Sequence, residues 1–259
     1  MQVELSGRKA LVCGASKGIG RAIAERLAAS GCIVVSLARN ETKLQQLTGE
    51  LPSAGHSYIA ADQSEVDTLI GKIRSHQSNA QPFDILVNNS GGPAGGPITE
   101  ATTEQFLAAF QQHLIVNSEL TRCLLPAMKD KKFGRILNIV STSVKIPLAG
   151  LGVSNTVRGA VANWAKTLAS EVASSGITVN SVLPGATSTE RLDQIIRNKS
   201  SKQGVSEAEA SALMRKQIPA GRFGEAEEIA NLVCFLASPL ASYITGTAIP
   251  VDGGRTGSL

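Results

Sequence analysis

The chain contains few of the residues that mark several common classes of protein. Phe, Trp and Tyr together make up 3% of its 259 residues, so the core must be mostly aliphatic. The four cysteines lie far apart and form no C-x-x-C pair, which favours free, mostly buried thiols in a reducing compartment. No stretch of about 18 uninterrupted apolar residues occurs, so no membrane span is predicted. We therefore expect a cytoplasmic protein.

Charge and metal ligands are also sparse. The formal net charge of +4 is spread along the sequence, and the densest basic cluster, Lys129, Lys131 and Lys132, is interrupted by Asp130. Such a cluster is typical of a solvated turn and does not indicate a nucleic-acid or membrane partner. The histidines show no ligand-like spacing, and no Cys/His cluster accompanies them, so no metal site is expected.

Short apolar segments alternate with longer amphipathic ones through most of the sequence. This alternation is typical of repeated βα units and a parallel sheet. Strands are predicted at 10–13, 33–37, 57–60, 84–88, 135–140, 177–183 and 248–251. Helices are predicted at 18–30, 41–51, 64–76, 152–174 and 226–236, together with a long helical region that reaches residue 126. Because no low-complexity linker or repeat divides the series, we expect an α/β protein: one doubly wound Rossmann domain over 1–259, with a seven-stranded parallel sheet flanked by helices.

The polar segment 188–218 departs from this alternation. Residues 198–204 read as flexible, and an Ala/Glu-rich helix is expected after them. The segment follows the sixth strand, on the side of the sheet where ligands bind in such folds. We interpret it as a substrate lid, with a plain surface excursion as the alternative.

The turn after the first strand has the composition of a phosphate-binding loop. Residues 13–20 read CGASKGIG, which places Gly14, Gly18 and Gly20 between a strand and a helix. Glycines let the backbone turn tightly and approach a diphosphate, while the start of the helix offers free N–H groups and a positive dipole. The pattern predicts a nicotinamide dinucleotide site.

The end of the second strand indicates which dinucleotide is preferred. An acidic residue there would bind the ribose hydroxyls of NAD, whereas a basic one would accept the 2′-phosphate of NADP. The sequence has Arg39 at this point and no acid, and Lys17 lies in the phosphate turn. These residues favour NADP(H) over NAD(H). The alternative is that Arg39 faces solvent or stacks on adenine without selecting either cofactor.

Five motifs occur in order along the chain: the glycine turn, Asp62, the segment Asn88, Asn89, Ser90 and Gly91, the pair Pro184 and Gly185, and the segment 251–254. Together they resemble the short-chain dehydrogenases/reductases of the 3-oxoacyl-acyl-carrier-protein reductase type. The resemblance implies that Asp62 contacts adenine and that the loop 184–189, including Thr187, contacts the nicotinamide end. Gln63 and Ser90 depart from the usual aliphatic residue and alanine.

The resemblance also locates the catalytic positions, and three of them are altered. Active members of the family carry a Tyr-x-x-x-Lys pair, an upstream serine and an asparagine on the preceding long helix. Alignment through 160–171 places Ser154 at the position of the family's catalytic tyrosine and Arg158 at the position of its lysine. Counting back from residue 126 places His113 at the asparagine, and Ser141 alone retains the family residue. The chain thus resembles a divergent subgroup that has a Ser-Asn-x-x-Arg segment and lacks the Tyr-x-x-x-Lys pair.

These replacements change the chemistry that can be expected. A serine hydroxyl is too weak an acid to replace a phenol with a pKa near 10, and arginine stays charged, so it cannot relay a proton as lysine can. Arg158 could still bind ribose hydroxyls and stabilise an oxyanion, with Ser141 and Ser154 donating hydrogen bonds. The proton is then expected from His113 or from ordered water. A packed helix histidine is the alternative for His113, and an inert helix surface for Ser154 and Arg158.

The expected cofactor site combines the glycine turn with the residues that the resemblance implies. Its members are Gly14, Ser16, Lys17, Gly18, Ile19, Gly20, Arg39, Asp62, Gln63, Asn89, Ser90, Gly91, Arg158, Pro184, Gly185 and Thr187.

Three functions are open to a chain with these motifs. The first is an NADP(H)-dependent oxidoreductase that acts on a carbonyl/alcohol pair of a small-molecule substrate, and it is favoured. The second is an NADP(H)-binding sensor or assembly protein without redox turnover. A hydrolase built on 141–143 and His113 is disfavoured because there is no G-x-S-x-G elbow and no acidic partner. The resemblance implies a homo-tetramer or homo-dimer.

Overall fold

A seven-stranded parallel sheet forms the centre of the protein. The computed structural model describes residues 3–78 and 80–258. The strands are β1 (Lys9–Cys13), β2 (Ile33–Ala38), β3 (Ser57–Ala60), β4 (Ile85–Asn88), β5 (Gly134–Ile139), β6 (Ile177–Pro184) and β7 (Ala248–Val251). They pair in parallel in the order β3-β2-β1-β4-β5-β6-β7. The predicted fold class is therefore confirmed.

Helices cover both faces of the sheet. They are α1 (Gly18–Ala28), α2 (Glu41–Glu50), α3 (Val66–Ser78), α4 (Thr103–Phe110), α5 (Val116–Asp130), α6 (Gly152–Val172), α7 (Glu190–Gln203), α8 (Glu207–Lys216) and α9 (Ala226–Ala237). Buried side chains of α1, α2 and α9 pack on one face, and those of α3, α5 and α6 pack on the other. A π-helical turn, Gln111–Ile115, connects α4 to α5.

The central strands are apolar on both sides because both faces are covered. In β1, Ala10 and Val12 belong to one core cluster, whereas Leu11 and Cys13 belong to the other. Such strands read as continuous apolar runs, and this is why their positions were predictable. The strand order reverses between β1 and β4, which opens a crevice at the carboxyl ends of the strands.

One sequence-based expectation about the segment after β6 is wrong. Residues 198–203 are not a flexible link, because they form the last turns of α7, which ends at Gln203 and is followed by Gly204 with a left-handed φ of +65°. The expected Ala/Glu-rich helix is present as α8, and Ser206 and Glu209 form a capping box at its start. Buried side chains join the two helices: Leu192, Ile196, Ala210 and Met214. The segment is thus a packed helical hairpin.

Two smaller expectations can be compared with the structure. All four cysteines are free, and Cys13, Cys32 and Cys234 are buried, which confirms the expectation of free, mostly buried thiols. Within 3–78 and 80–258, no helix is both long and apolar enough to cross a membrane.

Candidate active site

A cavity of about 890 Å³ lies at the carboxyl ends of the strands. Its walls come from the segments that follow β1 through β6, together with residues of α6 and α7. Every residue of the expected cofactor site, from Gly14 to Thr187, lines this one cavity. The sequence-based set is therefore spatially contiguous.

The turn between β1 and α1 is packed so tightly that it needs glycine. A Cβ on Gly20 would lie 2.2 Å from the carbonyl oxygen of Gly14. A Cβ on Gly14, whose φ is +62°, would lie 2.7 Å from Asn89 Nδ2. That amide donates to the Cys13 carbonyl oxygen at 3.2 Å and so ties the turn to the end of β4. Side chains at these two glycines would push the turn out of shape.

The start of α1 is open toward the cavity. Its N-cap residue, Lys17, makes no side-chain capping bond, and the first turn contains no acidic residue. The first N–H groups of a helix lack partners within the helix and favour an anion. Gly18 has a φ of +54°, and a Cβ there would lie 3.3 Å from Thr189 Cγ2. The backbone at this point is thus arranged to hold a phosphate group closely.

Polar groups lie at the end of the cavity formed by β2 and β3. Arg39 is 79% exposed and forms a loose ion pair with Asp62, with 3.7 Å between Nη1 and Oδ2. Asp62 accepts hydrogen bonds from the backbone and hydroxyl of Ser64, and the backbone bond contributes most to lowering its pKa. Gln63 Nε2 is buried and has no hydrogen-bond partner among the described residues. This amide is a donor that a bound adenine ring could satisfy.

Arg158 projects from α6 into the other end of the cavity. The side chain is buried, with 8% of the residue exposed, and its Nη1 donates to the Ile139 carbonyl oxygen at 2.9 Å. Burial, with a smaller contribution from the positive charge of Arg191, lowers the pKa of Arg158 to about 10. The guanidinium still carries its charge at neutral pH and has further N–H groups to donate.

The two serines of the expected catalytic set differ in position. Ser141 lines the cavity, and its Oγ accepts the Ser143 N–H at 3.1 Å, which leaves its own hydroxyl proton free to donate. Ser154 is half-buried one turn before Arg158 and is not among the residues that line the cavity. A serine side chain is short, and its hydroxyl at this position does not reach the cavity wall.

His113 lies in the π-helical turn, behind the cavity wall. It is 2% exposed, and its Nδ1 shares a hydrogen bond of 2.7 Å with Ser90 Oγ. Burial first, and the charge of Arg158 second, lower the pKa of His113 to about 3. Its Nε2 has no partner among the described residues. The imidazole is therefore neutral at neutral pH and cannot act there as a preformed imidazolium acid.

Sequence reasoning missed several charged residues of the cavity. Glu190, at the start of α7, accepts a hydrogen bond from Lys17 Nζ at 2.6 Å through its Oε2. Its Oε1 lies 3.9 Å from Lys43 Nζ. These contacts, the Lys17 hydrogen bond first, lower the pKa of Glu190. Arg191 also lines the cavity and donates to the Pro93 carbonyl oxygen at 3.0 Å. No local pattern marks these residues, since their role depends on where α7 packs.

Comparison with known proteins places the chain beside nicotinamide-dependent reductases. The family model described as Enoyl-(Acyl carrier protein) reductase matches residues 14–256. The NADPH-dependent reductase BacG of Bacillus subtilis is 35% identical over 98% of this chain and 100% of its own length. The 3-oxoacyl-[acyl-carrier-protein] reductase FabG of Haemophilus influenzae is 35% identical over 96% of this chain and 98% of its own length. The solved structure of L-sorbose reductase from Gluconobacter frateurii, complexed with NADPH and L-sorbose, aligns with a TM-score of 0.93 at 31% identity and covers both chains fully.

Proposed function

Because the chain belongs to the short-chain dehydrogenase/reductase family, we propose that it is an NADPH-dependent oxidoreductase acting on a carbonyl/alcohol pair. The observation that carries the proposal is the single cavity that contains the complete expected cofactor set. Relatives whose names specify NADPH dependence support the choice of cofactor.

The residues present fit such a cofactor. The close-packed glycine turn and the uncapped start of α1 would hold the diphosphate, because they offer backbone N–H groups with no side chain in the way. The unpartnered Gln63 amide would meet the adenine, and Arg39 would meet the 2′-phosphate. When bound, the cofactor supplies or accepts a hydride.

The chemistry at the reacting oxygen differs from that of family members with a phenol. We assign Ser141 and Arg158 to that oxygen, since both line the cavity and both retain unused N–H or O–H donors. Ser154 would contribute through water because its hydroxyl stays back from the cavity. Fixed donors of this kind stabilise the developing negative charge.

The proton is assigned to ordered water. The low pKa of His113 leaves almost no imidazolium at neutral pH, which favours water over direct donation by this residue. His113 then acts as a positioning residue that holds Ser90 at the cavity wall. The atypical site corresponds to the divergent subgroup that lacks the Tyr-x-x-x-Lys pair.

A spectrophotometric assay tests the proposal. NADPH oxidation is followed by absorbance with ketones, 3-oxoacyl thioesters and sugars as substrates. Turnover of any of them supports an oxidoreductase. Saturable NADPH binding without oxidation by any of these substrates would instead favour the sensor or assembly protein. The observation that motivates this alternative is the missing tyrosine of the Tyr-x-x-x-Lys pair.

A double variant tests the alignment of α6. Ser154→Tyr with Arg158→Lys is expected to raise reductase activity, because it restores a proton donor of lowered pKa at the cavity. The matched control is Thr156→Tyr with Arg197→Lys, which introduces the same two residues at exposed positions outside the cavity. Equal activity in the two double variants would contradict the assignment of 154 and 158 to the catalytic positions.

The proposed assembly is a homo-tetramer or homo-dimer, as the family resemblance implies. Light scattering of the purified protein measures the mass directly. A mass equal to that of one chain, 26.9 kDa, would contradict this assignment.

A further inference from the structure

Two arginines converge on one wall of the cavity. Arg158 reaches this wall from α6, and Arg191 reaches it from α7. The Nη2 atoms of both lie 3.9 Å from the position that a Cβ on Gly92 would occupy. Gly92 itself leaves this space empty. Two guanidinium groups thus approach the same space beside Gly92, which we call the gap.

Neither guanidinium is paired with a carboxylate among the described residues. Within 3–78 and 80–258, the only acceptors that the two side chains reach are the backbone carbonyl oxygens of Ile139 and Pro93. Glu190, next to Arg191 in sequence, is turned toward Lys17 and Lys43. Burying a cation such as Arg158 without a counter-charge is costly, and a second cation close by adds to that cost. An anion in the gap would offset both.

The shape of the donors indicates which anion fits. A guanidinium presents parallel N–H groups that match two oxygens of a carboxylate or of a phosphate, and such charge-assisted bonds are the strong ones. The cofactor phosphates are assigned to the glycine turn and to Arg39, which leaves a carboxylate for this gap. Ser141, assigned to the reacting oxygen, lines the same cavity. A substrate that carries a carboxylate close to its carbonyl group could reach Ser141 with its oxo group and both arginines with its carboxylate. Arg158 has several N–H groups left beside its bond to Ile139, so it would contact both groups of the substrate.

We propose that Arg158 and Arg191 together bind a substrate carboxylate, so that the substrate class is the oxo acids and Arg191 is the specificity-determining residue. This inference rests on the proposed reductase function. In the reaction, the carbonyl carbon gains a hydride and its oxygen gains a proton from water, while NADPH is oxidised to NADP⁺. The carboxylate is unchanged and serves only to orient the oxo group.

A matched pair of ligands tests the inference. The NADPH complex is titrated with acetoacetate and with the neutral methyl acetoacetate, and both calorimetric binding and NADPH oxidation are measured. The wild-type protein is expected to favour the acid, and Arg191→Gln is expected to reduce the acid-to-ester affinity ratio by about ten-fold, the effect of one charge-assisted hydrogen bond.

Arg197→Gln is the control for overall charge. Arg197 lies on the same helix and is exposed but does not line the cavity, so its loss is expected to leave the ratio unchanged. An equal effect of the two variants would overturn the inference, as would equal binding of acid and ester by the wild type. A weakened NADPH affinity in Arg191→Gln, with an unchanged acid-to-ester ratio, would show that Arg191 serves the cofactor instead.

Failure of the proposed function would look different. The wild-type protein would then bind NADPH without oxidising it in the presence of either ligand, or would take up no NADPH at all. The acid and ester can still be titrated into the free protein, and a preference for the acid that Arg191→Gln removes would support the arginine pair on its own.

Discussion

Acidification is expected to destabilise the protein through His113. The imidazole is buried against Ser90 and Arg158, and its pKa is lowered to about 3, whereas a histidine in an unfolded chain has a pKa of about 6.5. Below pH 6.5 the unfolded chain therefore binds a proton that the folded chain does not accept. Stability rises with pH wherever the unfolded state binds more protons, so it is lost as the pH falls from about 6.5 toward 3.

The magnitude follows from the two pKa values. A pH of 5 lies about 1.5 units below the pKa of histidine in the unfolded chain. At about 1.36 kcal/mol per unit, protonation of the unfolded chain lowers the free energy of unfolding by about 2 kcal/mol. At pH 7 the same difference is only a few tenths of a kcal/mol. Urea unfolding, followed by the fluorescence of the single tryptophan, Trp164, measures the free energy at each pH.

The control is His113→Asn, which keeps a polar side chain but cannot be protonated. His76 also has a pKa lowered by burial, but it is present in both proteins and cancels in the comparison. We expect the wild-type protein to lose about 2 kcal/mol more than the variant between pH 7 and pH 5. If both lose the same amount, His113 is not the buried neutral group described here.

Three further predictions concern the cofactor end of the cavity. Gly20→Ala should abolish calorimetric NADPH binding, because the added Cβ would lie 2.2 Å from a backbone oxygen. The control is Gly49→Ala, which has open space around the new methyl group. It should retain NADPH binding and gain about 0.5–1 kcal/mol of stability in urea unfolding. Arg39→Asp should raise the dissociation constant for NADPH about ten-fold or more without weakening NADH; equal losses for both would contradict selection by the 2′-phosphate. Glu190→Gln should release Lys17 and tighten NADPH binding a few-fold at low salt, a gain that should fade at high salt; a gain independent of salt would refute the electrostatic explanation.

The sheet and the cavity wall built around the glycine turn could be predicted because their signals are local. Strands buried on both faces, such as β1, read as uninterrupted apolar runs, and the glycine turn combines composition, spacing and position after a strand. Residues that follow parallel strands meet at one edge of the sheet, so Arg39 and Asp62 could be placed in the same site as the turn.

The remainder depended on contacts between distant parts of the chain. Lys17 and Glu190 are 173 positions apart, so no local pattern could pair them. The approach of Arg158 and Arg191 to Gly92 likewise joins three segments that are far apart in the sequence. The π-helical turn that buries His113 breaks the regular helical period, and a periodic reading of the long helical region could not anticipate it.

The central claim is that main-chain groups of the turn between β1 and α1 close around the diphosphate of a pyridine dinucleotide. Calorimetric titration of the purified protein with NADPH and, separately, with NADH tests it most directly. We predict saturable binding of NADPH at one site per chain, with NADH at least about ten-fold weaker because it lacks the 2′-phosphate. Absence of binding heat and of any competition between the two nucleotides, at concentrations well above those that saturate such sites, would contradict the claim.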